Sequence, residues 1–323
     1  MARLPTPSVE AHDLYLMGRQ HASWRTVAGL QRSLKYYHDA IALDPDYALA
    51  YAGLADSYNM LAGRAGLPRD ETFQNALQAA LRALAIDDSV AEAHLSLASL
   101  KQRYEWDWPV AEYHFRRAVT LNPGWATAHH WYAGFLSNLG RSDEALEAIG
   151  RAQELDPLSL PVNTAFGAIL YRARRYDEAI AQLERVRRLE PNYQPSYPLL
   201  GQVYERKGRF DGAIDAYRTA LQLSQEDPGV LAGLAYSFAA AGNSAEARRA
   251  LDELLRRAER EAVAPSDFAL VYKGLKEVDE MFYWLERAYQ ERDPALMLLK
   301  VDPANDGFRQ DPRFQDLLRR LGL

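Results

Sequence analysis

The chain repeats itself every 34 residues, and a chain with that period folds by stacking copies of one small unit. Aligned on Pro45, Asp88, Pro123, Pro157, Pro191, Gln225, Glu259 and Asp293, its spacings are 43, 35 and then 34 throughout. Ten residues after each of the first seven markers stands a small residue: Ala55, Ala98, Ala133, Gly167, Gly201, Ala235 and Ala269. Twelve before each marker stand Ser33, Ala76, Ala111, Ala145, Ala179, Ala213, Ala247 and Met281. Five before stand Ala40, Ala83, Ala118, Ala152, Val186, Ala220, Leu254 and Ala288. Small residues in fixed columns mark helices that approach closely in the same way in every copy. The expected product is a solenoid, an architecture that presents extended binding surfaces.

Abundant alanine, few strand-favouring runs and apolar spacings of three and four give an all-α reading. With no cysteine there is neither a disulfide framework nor thiolate chemistry, which agrees with a cytoplasmic setting. An extracytoplasmic part of a larger membrane-anchored regulator is the alternative. The net charge of −6 comes from interspersed acids and bases, so no basic footprint for nucleic acid is expected. Met1 to Asp13 lacks the apolar centre of a signal peptide, and no run is long and apolar enough for a membrane helix.

The copy after Pro123 shows how one unit is built. Asn122-Pro123-Gly124 breaks the chain, and helix A is expected over about 126–139. Gly140 ends it in a conformation that glycine adopts easily. Ser142 or Asp143 is expected to cap helix B, which runs to about Leu155 before Asp156-Pro157 stops it. Gly208 and Gly242 hold the place of Gly140 in later copies. A single pair cannot bury both its faces, so neighbouring pairs stack.

Leu54-Ala55 with Tyr58, Leu200-Gly201 with Tyr204, Ala213, Tyr217 and Ala220, and Leu234-Ala235 with Phe238 resemble the tetratricopeptide repeat family over nearly the whole chain. The resemblance implies a right-handed α-α superhelical solenoid of about eight helix pairs. Residues 1–300 form the array and 301–323 a C-terminal capping segment. Four further segments resemble the repeat half of bacterial multidomain regulators, in which such an array follows a winged-helix, kinase or cyclase domain. They are Ala48 with Tyr51 to Asp56, Trp106-Asp107-Trp108, Ala128 to Tyr132, and Asp311 to Leu318. This resemblance implies a regulatory binding array without the effector's activity.

Three irregularities stand out. Leu61 to Asp70 carries most of a nine-residue excess in the second repeat and is expected to be a loop, because Gly63, Gly66 and Pro68 suit a helix poorly. Trp106 to Pro109 marks a one-residue excess in the third, where Trp106 and Trp108 are expected to pack the widened turn. Phe314, Leu317, Leu318 and Leu321 form an apolar stripe on a last helix that caps the array, starting at Asp311-Pro312.

In the family that the chain resembles, helix A lines the concave surface. Offsets of 4, 7, 11, 14 and 15 from the markers fall on one side of helix A. They select Asp56, Asn59, Gln102, Arg103, His130, Asn138, Tyr171, Arg172, Gln202, Glu205, Arg206, Tyr236 and Lys273 as candidate partner-binding residues. Arg103, Arg172 and Arg206 share offset 15 and suit an acidic or C-terminal peptide, because guanidinium forks match carboxylates. The competing reading is an ordinary solvated face.

His94, His114, His129 and His130 cluster in sequence. His94 and His129 share one column of successive repeats, too far apart for easy shared coordination, so no metal is expected. Tyr47, Trp125 and Tyr193 recur two residues after markers, as packing residues do. No phosphate-cradling loop, dinucleotide fingerprint or nucleophile elbow occurs. The expectation is a non-catalytic scaffold without cofactor, binding protein or peptide. A small-molecule-sensing array closed by the Leu61–Asp70 loop is the rival, and an enzyme without recognisable motif the remote one.

Overall fold

A computed structural model describes residues 6–62, 68–224 and 227–323. Gly63, Gly66 and the rest of 63–67, and Gln225, lie outside the described residues. The chain divides into two units, Met1–Tyr132 and Ala133–Leu323.

The first unit alternates A and B helices: α1 (Val9–Ser23) with α2 (Val27–Leu43), α3 (Ala48–Leu61) with α4 (Arg69–Ile86), and α5 (Ala91–Leu100) with α6 (Trp108–Leu121). A π turn over Lys101–Glu105 extends α5 and takes up the third repeat's extra residue. Trp106 then takes a left-handed backbone at φ 54°, and Trp108 is buried at the start of α6. The boundary between units falls within α7 (Ala126–Asn138).

The second unit continues with α8 (Ser142–Leu155), α9 (Leu160–Arg172) with α10 (Tyr176–Leu189), and α11 (Ser196–Arg206) with α12 (Phe210–Leu223). Next come α13 (Pro228–Ala240) with α14 (Ser244–Ala258) and α15 (Pro265–Leu275) with α16 (Val278–Gln290). Two 3-10 turns, Pro294–Leu298 and Pro303–Phe308, lead to α17 (Pro312–Leu321). The described residues are thus all-α, with eight helix pairs and one further helix.

The small-residue columns form the seams. Every residue of the column five before a marker, including Val186 and Leu254, has 0% exposure. Ser33 and the alanines twelve before a marker also have 0%, and Met281 has 1%. Where glycine stands in place of alanine, an aromatic ring uses the space. The Tyr217 ring lies against Gly201 and Gly233, where an added Cβ would come within 2.5 and 2.3 Å of it. Tyr37 fills the same role between Gly18 and Gly53, with 2.5 Å at each. Gly167 similarly leaves room for Leu183.

Five of the A-to-B turns share one closure. In α9 to α10, Arg174 N donates to Tyr171 O and Arg175 N to Leu170 O, both at 2.9 Å. This satisfies carbonyls that the helix end would leave unpaired. The left-handed residue in this turn is Gly140, Arg174, Gly208, Gly242 or Lys276. The cap of α8 differs from expectation. The N-cap is Arg141, without a side-chain capping bond, and Ser142 is the first helical residue. The backbone closure from Arg141 N to Leu136 O sets the chain's path before a serine cap is possible.

A side chain six residues after four of the markers bonds to that marker's carbonyl. His94 bonds to Asp88 O at 2.9 Å, His129 to Pro123 O at 3.0 Å, Asn163 to Pro157 O at 3.0 Å and Tyr197 to Pro191 O at 2.6 Å. The shared column of His94 and His129 is therefore a repeated lock on the loop before helix A. His94 Nδ1 also meets His114 Nδ1 at 2.7 Å, and burial lowers both pKa values, that of His114 to about 4.

Phe314, Leu317 and Leu321 of α17 are buried. Its arginines reach α16, with Arg313 on Asp279 at 2.7 Å and Arg320 on Glu286 at 2.5 Å. Three Asp-Pro pairs at a nine-residue interval, Asp293-Pro294, Asp302-Pro303 and Asp311-Pro312, shape this end. Each aspartate accepts from the backbone N–H two residues on, at 2.9, 2.8 and 2.9 Å. The last helix pair ends at Gln290, and the two 3-10 turns lie on either side of residue 300.

Gly201→Ala should lower stability by about 1–3 kcal/mol, because overpacking Tyr217 forces a shift. Gly150, inside α8 with nothing within 4 Å, is the contrast: Gly150→Ala should raise stability by about 0.5–1 kcal/mol through helix propensity. Urea unfolding of both variants checks the pair.

Candidate functional site

In the second unit the side chains of the A helices converge on the chain's own residues 299–308. Burial alternates along this segment: Leu299, Val301, Pro303 and Asn305 are buried, whereas Lys300, Asp302, Ala304 and Asp306 are more open. Tyr171 Oη of α9 donates to Asp302 Oδ1 at 2.9 Å. Arg206 of α11 donates to Pro303 O at 3.5 Å and to Tyr236 Oη of α13 at 2.5 Å. Lys273 Nζ of α15 donates to Asn305 Oδ1 at 2.5 Å. Three A helices thus hold one acid-bearing segment, and Tyr236 of a fourth braces Arg206.

Charge explains the position of Asp302. Burial holds Lys273 below the usual lysine range and Arg172 down at about 10, and in both Asp302 opposes the effect. One carboxylate therefore offsets part of the cost of burying two cations. Glu205 is also buried. Its carboxyl is pushed up to about 7 by burial, against a hydrogen bond from Ser237 Oγ at 2.5 Å.

The remaining sequence-selected residues of this unit are less closely involved. Arg172 Nε donates to Ser137 Oγ at 2.7 Å. Asn138 is buried, and Gln202 is partly buried on α11.

The A helices of the first unit carry a cavity of about 320 Å³. Leu49, Ala52, Asp56 and Met60 of α3 line it with Glu92 and Leu95 of α5, at marker offsets 4, 7, 11 and 15. Arg19, Arg25, Trp125 and Trp131 complete its polar and aromatic wall. Asp56 is pushed up to about 6 by burial, with Arg25 opposing. Arg25 holds a left-handed backbone at φ 52°.

The other sequence-selected residues of this unit lie elsewhere. Asn59 is buried and donates to Ser99 Oγ at 3.1 Å, while Gln102 and Arg103 sit on the π turn. His130 is held down at about 4, by burial first and then by Arg25. Arg103 belongs to the first unit and Arg172 and Arg206 to the second, so the three do not form one described site.

Family models for the tetratricopeptide repeat match residues 126–157, 164–229 and 204–264. Residues 126–157 and 164–264 are tetratricopeptide repeats. The array is similar to the transcriptional regulator HilA of Salmonella typhimurium, with 26% identity over 150 residues. That match covers 46% of this chain and only 27% of the regulator. Among solved structures it is similar to PilW, a type IV pilus biogenesis factor, with a TM-score of 0.56 and 20% identity over 66% of this chain and 94% of PilW. It is also similar to yeast Tom70, with a TM-score of 0.56 and 15% identity over 97% of this chain and 68% of Tom70. These structures share the all-α repeat fold. No helix among the described residues is long and apolar enough to cross a membrane.

Sequence reasoning missed Arg19, Arg25, Glu92 and the segment 299–308. Glu92 stands at offset 4 and was readable there. The nine-residue Asp-Pro interval was the available signal that the chain leaves the 34-residue plan before 300.

Because Glu205 titrates higher in the fold than its usual 4.5, the folded array binds more protons between that value and about 7. Its contribution to stability therefore falls as pH rises through this window. Glu205→Gln should flatten the fall and give a higher melting temperature than the parent at pH 8. Melting curves from pH 5 to 8 check this.

Proposed function

We propose that this array is a non-catalytic binding scaffold that takes a protein segment on its A-helix face. The observation that carries the reading is the seating of 299–308 on α9, α11 and α15. That face already binds an acid-bearing segment of chain, turned rather than extended, through a tyrosine, an arginine and a lysine. The cavity in the first unit offers related chemistry to a partner. Its Arg19 and Arg25 suit a carboxylate, and its tryptophans supply the aromatic anchor common at interfaces. The partial similarity to a transcriptional regulator favours a regulatory setting, which we place in the cytoplasm.

A small-molecule ligand is the second reading, favoured by a cavity near the about 300 Å³ lower limit of ligand pockets. Site-specific photo-crosslinking separates the two. A crosslinking residue at Met60, on the cavity wall, should trap a discrete protein in cells, and Arg25→Glu should abolish the adduct. One at Tyr113, exposed on α6, should not trap it. An adduct formed equally from Tyr113, or unchanged by Arg25→Glu, contradicts the scaffold reading. Saturable thermal stabilisation by a metabolite, without a protein adduct, replaces it with the sensor.

A further inference from the structure

In the second unit a cavity of about 220 Å³ opens beside the docked C-terminal segment, lined by Ser137, Gly140, Ser142, Arg172, Arg174, Lys300, Val301 and Arg309. Four of these residues are basic and none is acidic, in a chain of net charge −6. Asp306, which is not on the wall, holds two of the bases in place. It accepts from Arg174 Nη2 and from Arg309 Nε, each at 2.7 Å. Arg174 Nη1 is tied further to Arg172 O at 3.2 Å, and Arg309 Nη1 to Lys300 O at 2.5 Å.

The other two bases have no ion-pair partner among the described residues, although the charge of Asp302 supports Arg172. Arg172 spends only its Nε, on Ser137 Oγ, and its terminal nitrogens have no hydrogen-bond partner among the described residues. Lys300 Nζ likewise has none and forms no ion pair there. Nearby Glu144 of α8 does not line the cavity and is engaged by Arg141 at 2.6 Å. Four cations with a single carboxylate at ion-pair distance leave a strong positive excess. Two serines in the wall add hydroxyl donors.

We propose that this cavity binds a phosphoryl group, as free phosphate or as a phosphate monoester. A carboxylate would be satisfied by one guanidinium fork. Several donors around a multiply charged site match instead the dianionic charge and three terminal oxygens of a phosphate monoester. The site has a built-in dependence: Arg172 and Arg174 come from α9 and the turn after it, whereas Lys300 and Arg309 come from the C-terminal segment. Binding therefore requires the segment to be docked and, by linkage, favours docking.

The test titrates the full chain with inorganic phosphate at constant ionic strength, read by calorimetry and melting temperature. Ribose 5-phosphate and a capped phosphoserine peptide are run in parallel. Phosphate should bind saturably, stabilise the chain beyond equal-strength chloride, and bind at least about tenfold more weakly to Lys300→Glu. Arg218→Glu, an equal charge change at an exposed site on α12, should bind as the parent does. Whichever ester binds more tightly than inorganic phosphate identifies the source. Should Lys300→Glu not fold, Lys300→Gln is the variant to titrate. Stabilisation no greater than with chloride, or undiminished binding by the lysine variant, overturns the proposal.

Discussion

The structure depends on the close approach of helices A and B, and that approach depends on small side chains recurring in register. A residue with 0% exposure at the same place in repeat after repeat leaves no slack for a larger one. Where the seam widens, a ring occupies it: Tyr37 and Tyr217 lie against paired glycines. Packing at this density converts a 34-residue sequence interval into a fixed spatial interval. Within each unit the A-helix residues at equivalent offsets then form a face.

That face is used differently in the two units. In the second, Asp302 and Asn305 meet Tyr171 and Lys273, and the acid-bearing segment offsets the cost of burying cations together. In the first, the corresponding offsets line a cavity with both basic and acidic groups. The same scaffold thus shows a surface holding a segment of its own chain and one suited to a segment of another. The C-terminal region does two jobs. Residues 299–308 lie on the A-helix face, and α17 covers α16 with Phe314 and Leu317.

The fold was largely legible because each copy restates it. Ala145 alone says little, but eight residues in its column specify a helix crossing. Gly140 and its equivalents marked the turns, although Arg174 and Lys276 take the same left-handed conformation without glycine. The site was less legible. Helical offsets located the A-helix face, yet they do not reveal which residues another part of the chain will cover. Arg206 and Tyr236 sit on neighbouring A helices and bond to each other, and Arg206 also meets Pro303. That last contact spans a sequence distance that no period encodes. Of the expected loop Leu61–Asp70, Leu61 ends α3 and Arg69 begins α4, while 63–67 lie outside the described residues.

The central claim is that the A-helix face binds a segment of chain through specific polar pairs, and Tyr171 with Asp302 is the pair to measure. A double-mutant cycle of Tyr171→Phe and Asp302→Asn, read by urea unfolding of the whole chain, isolates their interaction. The account predicts a coupling energy of about 0.5–3 kcal/mol, as for residues that share a hydrogen bond. Additivity of the two single changes would contradict it.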